Sequence, residues 1–305
     1  MNKLNKKYVI NRLRKSKWLY VLFTIPFIYY VIFEYAPLYG ILLAFKDFRI
    51  IRGILGSPWV GLAHFEKFIF DPYFWKIFRN TFLLSFYGLL WGFPVPIILA
   101  LILNEVQNQK FKRFVQNMTY LPHFISTVVI CGMIVNFLAT DGMISQVVRF
   151  FGGPQRNFLM FPEYFRTIYI SSGIWQGAGW SSIIYLAALS GIDVEQYEAA
   201  ILDGANRFQK MIYITLPGIK PTISIMLMLR LGQLVSVGYE KVLLLQTGAT
   251  YETSDIISTF VYRRGLLGAE FSYATAVGLF QMLISLALVI SSNTAARKLG
   301  ENSLW

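Results

Sequence analysis

Charge is scarce in this chain. Asp, Glu, Lys and Arg make up 14% of its 305 residues, against about 25% in soluble domains. Hydrophobic residues reach 55%, aromatics 17%, and the mean hydropathy is +0.51. That balance excludes an ordinary soluble domain and points to a membrane protein. The single cysteine, Cys131, rules out a disulfide framework or a Cys-rich metal site. The two histidines, His64 and His123, flank apolar segments, and a lone His in that setting is read as structural rather than as a ligand or catalyst. The sequence has no GxxxxGK[ST], so it cannot cradle nucleotide phosphates in a P-loop. It also lacks low-complexity segments and internal repeats of about 20–50 residues.

What the chain does have is long apolar runs. A bilayer span needs about 20 mostly apolar residues. Six segments qualify: 18–45, interrupted by Glu34 and Pro37; 81–103; 119–139; 167–189; 219–245, which contains Arg230; and 273–294. Backbone amides in hydrocarbon must be bonded within the segment, so each is expected to be a helix. The expectation is an all-α membrane protein: a basic tail over residues 1–17, then one domain over 18–305. The first run has several aromatics and is not followed by a small-residue cleavage site, so it is read as a retained span, not a signal peptide.

The formal net charge is +12, and seven Lys or Arg lie in the first 17 residues with no acid among them. Such a tail suits the cytoplasmic side, close to anionic lipid heads. Nucleic-acid binding is disfavoured, since only Tyr8 is interleaved with these charges. With six spans both termini are cytoplasmic, and Lys plus Arg number 15 inside against 12 outside. The outer segments 59–75, 150–165 and 251–265 are rich in aromatic rings, read mostly as an interfacial belt.

Between the fourth and fifth spans, on the cytoplasmic side in this topology, runs EQYEAAILDGANRFQKMIYITLPGIKP, residues 195–221. Asp193 precedes a helical pattern with Gln196 three residues on, an Asp/Gln version of a capping box. The helix carries Glu195, Glu198, Ala199, Ala200 and Asp203. Gly204 follows, free to take a positive φ. A second turn places Phe208, Met211 and Ile212 on one face, and Leu216 and Pro217 end the segment. A helix lying on lipid heads would present a basic face. This one is acidic, which favours a protein partner.

Glu198-Ala199-Ala200, Gly204, Ile214 and Leu216-Pro217 keep the spacing of the EAA loop, and the segment 193–217 resembles that loop in the permease subunits of bacterial ABC importers. Residues 60–81 resemble the outer loop of sugar-importer permeases of the maltose type. VYRRGLLGAEFSYATAVGLFQ and KLGENSLW resemble the LplB-type subgroup that handles oligo- and polysaccharides. The resemblance implies a six-span type I permease at the cell membrane, paired with a second related permease as a heterodimer. It implies two cytoplasmic ATPase subunits that carry ATP and Mg, and an extracytoplasmic sugar-binding lipoprotein, with no cofactor and no enzymatic site on this chain. Glu198 would contact the ATPase cleft, Ala199 and Ala200 would allow close packing, and Gly204 would make the bend. Ile214, Leu216 and Pro217 would fix the loop to the fifth span. The chain departs from many members at Met211, where Phe is common, and Phe208 would fill part of that volume.

For the translocation path the candidates are Arg230, Trp175, Gln176, Trp180, Asn136 and Gln233. A mid-membrane charge costs roughly 2.5–3.5 kcal/mol on insertion scales and marks a functional position by default. Arg230 is read either as a pathway residue, or as half of an ion pair with Glu34 or Glu240, or as a side chain snorkelling from an off-centre position. Trp175, Gln176 and Trp180 suit sugar stacking and hydrogen bonding, whereas Gly177 and Gly179 between them suit tight helix packing. Two other classes compete with the importer: an ion-coupled secondary transporter, which needs acids or histidines within its spans, and a membrane-embedded glycosyltransferase, which needs clustered carboxylates.

Overall fold

The computed structural model describes residues 15–235 and 237–298. The tail reading of residues 1–14 and the motif residues 299–305 lie outside the described residues. Within the described residues the chain is helical, with a single isolated bridge between Lys46 and Trp59. We name ten helices: α1 Lys17–Phe45, α2 Phe74–Glu105, α3 Gln109–Tyr120, α4 Thr127–Phe150, α5 Pro162–Leu189, α6 Val194–Leu202, α7 Arg207–Gly218, α8 Lys220–Gly232, α9 Tyr239–Leu245 and α10 Phe271–Lys298.

Four of these, α1, α2, α4 and α10, are both long and apolar enough to cross a bilayer. The pair α7 and α8, bent by 59°, qualifies as a fifth. Helix α5 is long enough at 28 residues, but its SSGIWQGAGWSS core makes it the most polar of the long helices.

Several expected boundaries move, each for a local reason. The third span does not begin at 119. Residues up to Tyr120 belong to α3, Pro122 sits in a tight turn Leu121–Phe124, and α4 starts at Thr127 with the Ser126 hydroxyl accepting from the Val129 amide at 3.4 Å. Proline removes a donor, so helix continuity fails there. The fifth span is not one helix over 219–245. Helix α8 stops at Gly232, residues 233–235 and 237–238 are not helical, and α9 begins at Tyr239. At Gly232 the chain packs tightly on α10, where an added Cβ would lie 2.4 Å from Val289. In α1 the run Val31–Tyr35 widens to a π turn and Ala36–Phe45 tightens to 3-10 geometry, around Pro37.

The outer aromatic segments divide. Trp59, Phe70 and Trp75 are exposed, as a belt requires. Phe68, Phe74, Phe158 and Phe165 are core residues instead. Phe68 meets Phe74 at 5.0 Å and Phe280 at 5.5 Å between ring centroids, in a cluster with Ile77, Ile257, Phe260, Tyr273 and Val277. Offset and edge-on ring pairs of this kind are favoured by the aromatic quadrupole.

A buried polar network pins this end of the bundle. Asn80 donates to the Glu252 and Asp255 carbonyls at 2.9 and 3.1 Å, and Arg166 donates to Asn80 Oδ1 at 3.0 Å. The fully buried Asp255 carboxylate is held by Arg263 and by the Thr259 hydroxyl. The Ile257 amide donates to Thr81 Oγ1. These bonds tie the segment 248–264 to the starts of α2 and α5. Asn80→Ala leaves two carbonyls and one guanidinium N–H unpaired, each at about 1–3 kcal/mol. It is expected to lower the melting temperature of the detergent-solubilised protein clearly while helix content is retained. A melting curve unchanged from the parent would show that the network holds nothing.

Candidate functional site

Two places concentrate unusual geometry: the elbow between α6 and α8, and a cavity along α5.

The elbow begins where Asp193 Oδ1 accepts from the Glu195 amide at 3.0 Å. The cap residue is the expected one, although the reciprocal bond to Gln196 is not what forms. A full capping box appears one helix later, where Asn206 Oδ1 accepts from the Gln209 amide and Gln209 Oε1 accepts from the Asn206 amide, at 2.9 and 2.8 Å.

Between these caps the chain turns at Gly204, whose φ is +79°. The Ala205 amide donates to the Ala200 carbonyl at 2.9 Å and the Gly204 amide to the Ile201 carbonyl at 3.1 Å. This is the paired closure of a Schellman motif, with its left-handed residue at Gly204. The spacing from Ala200 to Gly204 therefore has a backbone cause: it is the distance from the closing carbonyl to the residue that must adopt positive φ. An added Cβ at Gly204 would meet nothing within 4 Å, so conformation alone demands glycine there.

Helix α7 widens into a π turn over Met211–Thr215 ahead of Pro217. The buried Thr215 hydroxyl meets Tyr197 OH at 3.0 Å, joining α7 to α6. The chain then bends by 59° at Ile219, which is 0% exposed and packs with Ile97, Ala100, Tyr185 and Leu189 at the far ends of α2 and α5. An added Cβ at Gly218 would lie 2.8 Å from Ile192. Glu198, Ala199, Asp203, Leu216 and Pro217 face out, and Ala200 and Ile214 are half-buried. Leu202 is 89% exposed and Phe208 65%.

The cavity, about 300 Å³, is walled by one face each of α2 and α5 and by the segment from Arg230 to Gly238. Its walls are carved by missing side chains: Gly88, Gly92, Gly173, Gly177 and Gly238 all line it. Arg230 and Gln233 line it too. Trp175, Gln176, Trp180 and Asn136 do not. Trp175 and Asn136 are exposed elsewhere, and Trp180 stacks flat on His123 at 4.7 Å. His64 sits within 3.1 Å of the Lys46 carbonyl.

The two glycines of the GxG differ. A Cβ on Gly179 would lie 2.0 Å from the Thr119 carbonyl, so Gly179 serves packing of α5 on α3. Gly177 has open space and serves the cavity. Among the described residues Arg230 forms no ion pair with Glu34 or Glu240.

With this geometry in place, kinship decides the class. Residues 92–300 match the binding-protein-dependent transport system inner membrane components. The chain belongs to that family. It is 43% identical over 304 residues to the polygalacturonan/rhamnogalacturonan transport system permease protein YteP of Bacillus subtilis, covering 99% of this chain and 95% of that one. It is 41% identical over 294 residues to protein LplB of the same organism, covering 96% and 92%. It superposes with a TM-score of 0.88 and 40% identity on a chain of a bacterial alginate ABC transporter solved in complex with an alginate pentasaccharide-bound periplasmic protein, covering 96% of this chain and 99% of that one. The family, the YteP permease and the alginate transporter chain make this chain a multi-pass membrane component of an ABC transporter and not an enzyme.

For a family member of this kind the open glycine wall is the feature to test. A Cβ at Gly177 would meet nothing within 4 Å, so Gly177→Leu points into the cavity, and it is expected to leave expression and melting unchanged while lowering transport at least tenfold. Gly179→Leu collides with α3 and is expected to lower melting instead. Equal behaviour of the two variants would remove the distinction between packing and cavity glycines.

Proposed function

We propose that this chain is the permease subunit of an ATP-driven importer that carries an oligosaccharide or polysaccharide into the cell by alternating access. The observation that carries the reading is the elbow. It is a rigid, capped, glycine-closed pair of helices with its acids and its apolar residues Leu202, Phe208 and Tyr213 uncovered, anchored at Ile219 to two long helices. A surface of that chemistry fits the cleft of a separate nucleotide-hydrolysing protein better than lipid heads.

In this reading α5 is the fourth span and α8 and α9 together form the fifth, for six in all, with both termini and the elbow in the cytoplasm. Two ATPase subunits hold ATP and Mg. A second related permease completes the pore, and an extracytoplasmic sugar-binding lipoprotein delivers the substrate. Glu198, Ala199, Ala200, Asp203, Gly204 and Phe208 form the contact, and Ile214, Leu216 and Pro217 pass the push to α8. Arg230 and Gln233 line the path. The import of polysaccharides by the relatives supports the substrate class, and the apolar, acid-poor spans weigh against an ion-coupled transporter.

Closure of the ATPases would carry the elbow inward or outward as one body, because Tyr197–Thr215 and the Gly218–Ile192 contact leave little slack. In proteoliposomes of the assembled transporter, orthovanadate is expected to abolish saccharide uptake; vanadate-insensitive uptake would favour the ion-coupled alternative. Gly204→Val forces a β-branched residue to positive φ, at about 1–2 kcal/mol, and is expected to cut uptake more than tenfold with the protein still inserted. Gly204→Asn, tolerant of that region, is expected to keep most of it. Cys131 is buried, so a Glu198→Cys variant offers a single accessible thiol, and its crosslinking to an ATPase subunit tests the contact directly. Failure to capture one would sink the coupling role.

A further inference from the structure

Helix α3 carries a cationic and an apolar surface that the described chain leaves open. It starts at Gln109, four residues after α2 ends at Glu105, at the end of the bundle where Ile97 and Ala100 meet Ile219. Its far end packs on α5, since a Cβ on Gly179 would lie 2.0 Å from the Thr119 carbonyl oxygen. Gly179 stands ten residues before the close of α5 at Leu189, about 15 Å along the helix axis. So α3 climbs from the elbow end toward the middle of the molecule.

Three faces divide it. Val115 and Thr119, four apart and half-buried, are on the side turned to α5. Phe111, Phe114 and Met118, spaced by three and four, form a second face, each more than half exposed, and Leu121 and Phe124 in the next turn are exposed too. Lys110, Arg113 and Asn117 form the third face, also exposed, and Lys112 is half-buried. Among the described residues the charged groups of Lys110, Lys112 and Arg113 make no ion pair. All three cations lie in the half of α3 nearer the elbow, and the exposed apolar side chains run on past them.

The first turn of α3 holds no acid. Its amides are capped by Asn108 Oδ1, which accepts from Lys110 and Phe111 at 3.0 and 3.2 Å. Cations at this end oppose the helix dipole, so an anion seated there answers the dipole and the side chains at once. An apolar helix from another subunit would cover the rings and leave the charges unmet. A soluble acidic protein would meet the charges and leave the rings in water. An anionic phospholipid carries both chemistries in one molecule, phosphate at its head and acyl chains beneath. Helix α3 thus has the basic polar face that an interfacial helix needs and that the acidic elbow lacks.

We propose that α3 is an interfacial anchor that binds anionic phospholipid of the inner leaflet, with Lys110, Lys112 and Arg113 on the headgroup and Phe111, Phe114 and Met118 among the acyl chains. Through Thr119 and Gly179 the bound lipid is tied to α5, a wall of the cavity. The choice of leaflet rests on the importer reading, which puts the elbow in the cytoplasm.

The test uses the assembled permease–ATPase complex. In nanodiscs of phosphatidylcholine with about one-third phosphatidylglycerol, an anionic fraction able to attract basic segments, retained lipid is counted by native mass spectrometry. The parent is expected to keep phosphatidylglycerol over phosphatidylcholine. Joint replacement Lys110→Gln, Lys112→Gln and Arg113→Gln is expected to lower that preference at least about tenfold, given about fivefold per cation at a charged surface, with melting and subunit content unchanged. Because Cys131 is buried, a fluorophore goes to an introduced thiol. On Met118→Cys it is expected to be quenched by lipid-borne nitroxide and not by iodide, and on Asn117→Cys by iodide. A preference intact in the triple variant, or iodide quenching equal at the two positions, would overturn the proposal. So would loss of an ATPase subunit or of the second permease from the triple variant, which would make the patch a protein contact. The importer reading fails on a separate readout, the absence of ATP-dependent saccharide uptake by the parent complex.

Discussion

The burial of Ile219 at the joint between α7 and α8 is the contact on which the rest of the molecule turns. A bend of 59° between two helices is compliant unless something fills its inner corner. Ile219 fills it completely, against Ile97 and Ala100 from one long helix and Tyr185 and Leu189 from another. Gly218 lets Ile192 close over the same corner, since no side chain fits between them. Cores packed to near-crystal density transmit displacement instead of absorbing it. The elbow, the end of α2 and the end of α5 therefore constitute one stiff corner.

The opposite end of α2 and α5 is stiff for a different reason. There Asn80, Arg166, Asp255 and Arg263 make a buried network, and such networks specify one arrangement because half-made ones are costly. Between the two ends lies a glycine-walled cavity. Firm ends and an open middle suit a body that tilts about its length, as alternating access requires.

The elbow was readable from sequence because its determinants are local. The interval from Ala200 to Gly204 is fixed by two backbone hydrogen bonds within six residues, and the Asp193 cap reaches only two residues. The capping box at Asn206 and Gln209 was equally local, yet it was overlooked because the run ANRFQKM reads as a continuation of the amphipathic face. The span edges were less legible. Thr127 and Gly232 mark boundaries set by Pro122 and by contact with Val289, and hydropathy windows average over both. The partition of Gly177 from Gly179 depends on where Thr119 lies, a neighbour 60 residues away in sequence.

Three surfaces of the isolated chain remain uncovered, and their chemistries differ. Helix α1 exposes nearly every side chain through its hydrocarbon-length run, a pattern stable only against lipid or other apolar helices. The elbow mixes exposed acids with Leu202 and Tyr213, a pattern lipid does not satisfy. The cavity wall presents Arg230 and Gln233 to a glycine-lined space, a pattern neither lipid nor an apolar helix satisfies. A self-sufficient transporter would close all three within one polypeptide. In the proposed assembly each is met by a different component: hydrocarbon and a neighbouring span at α1, a water-soluble protein at the elbow, and the saccharide in the cavity.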